Sequence, residues 1–101
     1  MSKDEIKQAV CRAVEKIPHP EKITRVRLFG SHLHEDARPD SDVDLIIDIA
    51  DDVSMGLFEF FDVEETLSDT LQKKVDLVTP EGLSKYIRDK VLREAETLYE
   101  R

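Results

Sequence analysis

The chain has 101 residues, 40% of them apolar and 38% charged, with a formal net charge of −8. That length and balance fit one globular domain spanning residues 1–101 around one modest core, and they exclude a disordered chain. Its 15 basic residues are scattered among 23 acidic ones, so a nucleic acid is not expected as the main partner, and no apolar run approaches the roughly 18–20 residues that span a bilayer.

The amino-terminal run MSKDEIKQAV is polar and begins like a helix rather than a signal peptide. The lone Cys11 has no disulfide partner and no accompanying ligand set, which makes it a structural thiol. Both features fit the cytoplasm. The acidic balance suits a basic protein partner, or a nucleotide carried in with Mg²⁺.

Ser2 and Glu5 form a capping box ahead of Ile6, Val10, Ala13, Val14 and Ile17, and the spacing predicts a helix from about Asp4 to Ile17. Pro18 and Pro20 stop it. Ile23 to Phe29 is rich in β-branched residues and runs into Gly30-Ser31, a strand followed by a tight turn. A polar loop from His32 to Ser41 leads to a second strand, Val43 to Ile49. The helical period returns from Leu57 to Leu71, and Phe58, Phe60 and Phe61 are expected mostly in the core. Val75 to Val78 predicts a third strand. From Glu81 to about Glu94 the spacing of Leu83, Tyr86, Ile87, Lys90 and Val91 predicts a last helix, with Lys85, Arg88, Lys90 and Arg93 on its solvated face. Thr97 to Tyr99 either extends that helix or adds an edge strand. The order α-β-β-α-β-α predicts an α+β fold, a mixed sheet with helices on one side.

The informative residues lie between these elements. In an extended strand, residues two apart project to one face, so Asp42 and Asp44 are expected to point the same way. Two carboxylates about 4 Å apart repel by about 4 kcal/mol at an effective dielectric near 20. Such a pair persists when a cation lies between the two, or when one stays protonated. Asp76 places a third carboxylate inside Val75-Asp76-Leu77-Val78, where an idle position would favour an apolar residue. Three converging carboxylates suit Mg²⁺, and a pair of such ions clamps both attacking and leaving oxygens in displacement at phosphorus. Gly30 lets backbone approach a ligand closely, and its neighbouring N–H groups and the Ser31 hydroxyl can face phosphate oxygens.

Asp40-x-Asp42-x-Asp44 is not a calcium loop: Leu45 takes the sixth position, where glycine is required, and Asp51 the twelfth, where glutamate is required. Asp48 reads as structural. His32 and His34 lack the further ligands that zinc needs.

The run LFGSHLHEDARPDSDVDLIIDI resembles the Gly-Ser-x10-Asp-x-Asp signature of the DNA polymerase β-like nucleotidyltransferases. The later run MGLFEFFDVEETLSDTLQKKVDLVTPEGL is similar to their minimal nucleotidyltransferase (MNT) branch, and the resemblance extends from about Arg25 to Leu98. It implies a polymerase β-like palm in which Gly30 and Ser31 hold the triphosphate of ATP. Asp42 and Asp44 are implied to bind Mg²⁺, with Asp76 as third carboxylate helping to activate the attacking hydroxyl. The resemblance further implies a HEPN-family toxin as partner, with AMP moved from ATP to a tyrosine hydroxyl of that toxin. One departure stands out: members commonly carry Ala-Arg-Gly shortly after the Gly-Ser, and this chain has Leu33-His34-Glu35. A permanently charged guanidinium is thereby lost.

Two other functions are compatible with the sequence. One is a binding module that neutralises its partner by occlusion alone. The other is a subunit that transfers nucleotide to a small molecule, although the added helical domain expected there is missing. So short a chain is expected to rely on another protein to present the acceptor.

Overall fold

Ser2 Oγ accepts the Glu5 N–H at 3.1 Å while the Glu5 carboxylate accepts the Ser2 N–H at 2.9 Å. This reciprocal cap starts helix α1, Lys3–Lys16, and such caps contribute about 1 kcal/mol. Hydrogen bonding from the Ser2 backbone N–H, and then from its side chain, holds the Glu5 carboxyl below the usual carboxylate range. A computed structural model describes every residue except Glu35, Asp36 and Pro39. After α1 come β1 (Ile23–Phe29), β2 (Val43–Ile49), α2 (Leu57–Leu71), β3 (Val75–Val78), α3 (Arg88–Glu94) and β4 (Glu96–Glu100).

The strands form one sheet in the order β3-β2-β1-β4. β1 runs antiparallel to both β2 and β4, whereas β2 and β3 are parallel. A parallel pair needs a crossover, and α2 supplies it. Gln72 ends α2 in the left-handed region, at φ 56°, which turns the chain back toward β3. The fold is the expected α+β arrangement with a mixed sheet.

Alternation along the strands sorts the sheet into two faces. Val26 and Leu28 of β1, and Val43, Leu45 and Ile47 of β2, join one buried cluster with Ile6, Val10 and Val14 of α1 and Val63, Leu67 and Leu71 of α2. Each such side chain contributes about 1.5–3 kcal/mol on burial. α1 and α2 pack on each other, α1 also against β4 and α2 against β3, so both cover the same face. The opposite face mixes the buried Ile46 with charged groups. There Asp48 bridges two guanidinium groups, Arg25 Nε and Arg27 Nη2, each at 3.0 Å, which gives that residue the structural role expected of it.

The carboxyl-terminal stretch departs from the expected helix. Thr79 Oγ1 caps a 3₁₀ turn, Pro80–Gly82, by accepting the Gly82 N–H at 3.2 Å, and the chain turns again through Ser84 before α3 begins. The helical spacing of Leu83, Tyr86 and Ile87 is therefore coincidental: Leu83 is buried, but Tyr86 is 86% exposed. Arg88 is not a solvated residue, since its guanidinium donates to the carbonyls of Glu81 and Leu83 and ties the turn to α3. Thr97 to Tyr99 belongs to β4, an edge strand with only Leu98 buried. The aromatic cluster is also corrected. Phe58 is 84% exposed and Phe61 half exposed, leaving only Phe60 packed against the core, because Phe58 and Phe61 fall on the outer face of α2. Cys11 is half-buried, its Sγ 3.8 Å from the Leu98 carbonyl.

Candidate active site

β1 and β2 are antiparallel neighbours, so the end of one meets the start of the other. Phe29 lies across from Asp44, and on the other side Asp44 stands in register with Asp76 of β3. Gly30 follows Phe29 at φ +79°, a conformation that L side chains rarely adopt. A Cβ built there would overlap the Asp44 carboxylate, above all Oδ2. Glycine is thus required twice over, by its backbone angle and by the acid beside it. The Gly30 carbonyl accepts the N–H groups of Leu33 and His34 at 3.1 and 3.3 Å, closing the turn that carries Ser31.

Asp44 is the hub. Partial burial raises its carboxyl above the ordinary aspartate range, and the charges of Asp76 and Asp42 push it further the same way, opposed weakly by His32. Asp42 precedes β2, is exposed, and lies 3.9 Å from Lys74 Nζ. Among the described residues no three His, Cys, Asp or Glu side chains are already drawn in to the spacing of a metal site. The structure brings Asp44 beside Gly30 and Asp76, while Asp42 adds its charge from the loop.

β3 is an edge strand, and α2 pins its free side. Ser68 Oγ accepts the Val75 N–H at 3.0 Å, and the Glu64 carboxylate accepts the Leu77 N–H at 2.9 Å. Ser68 and Glu64 are one helical turn apart, so they flank Asp76 on both sides along the strand. These positioning residues escape a reading of the sequence, which offers no signal beyond their i, i+4 spacing.

The two histidines do not form a pair. His32 is buried with Nε2 3.3 Å from the Ser41 carbonyl, and His34 Nε2 is 3.3 Å from a Glu94 carboxylate oxygen of α3. Glu35, the third residue of the departure noted above, lies outside the described residues.

Gly30 and Asp44 thus meet at one end of a mixed sheet, with Asp76 in register beside Asp44. The family model described as polymerase beta, nucleotidyltransferase matches residues 13–101. The chain belongs to this nucleotidyltransferase family. Within it, the chain is 38% identical over 72 residues to the protein adenylyltransferase MntA of Thermococcus cleftensis, covering 71% of each protein. A solved minimal nucleotidyltransferase shares 34% identity and superposes with a TM-score of 0.71, each chain covered to 94%. The fold also matches a complex of a tri-AMPylated Shewanella oneidensis HEPN toxin with its MNT antitoxin, at 21% identity and a TM-score of 0.65, covering 95% of this chain and 71% of that one. These nucleotidyltransferases place the chain in the minimal branch.

Proposed function

We propose that this protein is an antitoxin that transfers AMP from ATP to a tyrosine hydroxyl of a HEPN-family toxin. The observation that carries the proposal is the register of Asp44 with Asp76 beside a glycine whose Cβ position the Asp44 carboxylate fills. The relationship to an MntA adenylyltransferase supports AMP as the group transferred, and the fold shared with an MNT antitoxin bound to an AMPylated HEPN toxin supports the acceptor.

Asp42, Asp44 and Asp76 would hold Mg²⁺. The donor set fits: every ligand is a hard oxygen, and burial followed by repulsion from Asp76 and Asp42 raises the Asp44 carboxyl in a way that a divalent cation would offset. When bound, the ion would neutralise charge on the phosphates and on the departing pyrophosphate. Ser31 and the backbone N–H groups after Gly30 orient the triphosphate. Asp76 takes the proton of the attacking hydroxyl; a bond forms from that oxygen to the α-phosphorus, and the α–β bridging P–O bond breaks to release pyrophosphate. Most of the rate gain comes from positioning and charge neutralisation. With a free cysteine, and no helix among the described residues long and apolar enough to cross a membrane, the proposed setting is the cytoplasm.

A second reading, neutralisation by occlusion, is favoured by one observation: His34 faces Glu94, leaving no permanent cation within the Gly30–His34 turn. Toxin neutralisation by the double variant Asp42→Asn, Asp44→Asn separates the two. Loss of protection with the complex still formed supports transfer; protection equal to wild type establishes occlusion.

A further inference from the structure

Helix α3 turns one stripe toward the Gly30 turn. Ile87, Lys90, Val91 and Glu94, spaced i, i+3, i+4 and i+7, line a cleft of about 250 Å³ whose other wall includes Phe29 and Gly30. The cleft therefore opens onto the residues that neighbour Asp44 on β1.

A triphosphate carries several negative charges, and the three aspartates beside it add more. Fixed cations must help a divalent ion to offset them. Between Gly30 and His34 the turn offers only neutral donors, and the ring of His34 is engaged by Glu94. Arg27 and Arg25 are committed to Asp48, and Lys74 to Asp42. Lys90 is different: it is exposed, it lines the cleft that contains Gly30, and it has no ion-pair partner among the described residues. An ammonium on four flexible carbons suits a point contact to phosphate.

We propose that Lys90 is a phosphate-binding residue, supplying from α3 the positive charge that the Gly30 turn lacks. The proposal rests on the nucleotide reading of the site. It also accounts for Arg88, whose bonds to the Glu81 and Leu83 carbonyls fix the start of α3 and so the approach of Lys90.

The test is calorimetric titration of the full chain with Mg²⁺-tripolyphosphate and with Mg²⁺-ATP, in wild type, Lys90→Gln, Lys90→Arg, Lys85→Gln and Asp44→Asn. Lys90→Gln is expected to weaken both ligands about tenfold, the scale of one charge-assisted contact. Lys90→Arg should recover most of that loss, and Lys85→Gln, whose ammonium lies over the Tyr86 ring, should bind as wild type. If Lys90→Gln binds tripolyphosphate normally while Asp44→Asn does not, the Lys90 role is overturned and the site reading survives. If Lys90→Gln weakens ATP alone, the cleft serves the nucleoside and the phosphate role is overturned. If wild type takes up neither ligand, both readings fall.

Discussion

The Cα of Gly30 faces the Asp44 carboxylate so closely that a methyl group on it would overlap Oδ2. The same contact makes the turn intolerant of any side chain.

Gly30→Ala is expected to cost about 1–3 kcal/mol of folding stability, from the positive φ and the clash together. Gly56→Ala, whose new methyl meets no atom within 4 Å, should cost less than about 1 kcal/mol. Urea unfolding of the two variants checks the contrast, and equal losses would contradict the close approach.

Asp44→Asn should raise the melting temperature of the metal-free protein at neutral pH by a few degrees while reducing its response to Mg²⁺. Burial, together with Asp76 and Asp42, raises the folded-state pKa of Asp44 above its ordinary value of 3.8. The unfolded chain then releases this proton first as pH rises, so the wild type loses stability from about that value up to the raised folded pKa. The melting temperatures of wild type and variant should lie close together near the acid end and separate above that window. Calorimetry with and without Mg²⁺ reads both effects.

Glu64 reaches the Leu77 N–H from α2 and so holds the strand carrying Asp76. Glu64→Ala should cost about 1–2 kcal/mol by leaving that amide without its acceptor, and should slow AMP transfer without touching nucleotide. Glu64→Gln keeps an acceptor and should retain most of both properties. Equilibrium unfolding and transfer rates, measured on the same preparations, test the link.

Phe58→Ser should change folding stability by no more than about 0.5 kcal/mol, because the ring is 84% exposed. Leu67→Ala, one helix face away and buried in the core, should cost about 2–5 kcal/mol. Thermal unfolding of the pair checks which face of α2 carries the core.

Most of the layout is legible in the sequence because its periods are clean. Val43–Ile49 and Leu57–Leu71 coincide with the observed β2 and α2, where apolar spacing and turn residues agree. The same spacing misleads at Tyr86 and Ile87, since periodicity records where apolar residues fall and not whether anything covers them. β4 is too short, with one buried side chain, to declare itself. At the site, Gly30, Ser31, Asp42, Asp44 and Asp76 stand out because glycine at a strand end and acids in apolar strands are conspicuous. Glu64, Ser68 and Lys90 do not, since a polar residue on a helix looks solvated until its neighbours in the fold are known.

The most direct test of the central claim is the intact mass of both chains after incubation with a HEPN-family protein from the same source, ATP and Mg²⁺. One or more added AMP masses are expected on the HEPN partner, lost with Asp42→Asn or Asp44→Asn. A stable complex with no added mass on either chain would contradict transfer and leave occlusion as the mechanism.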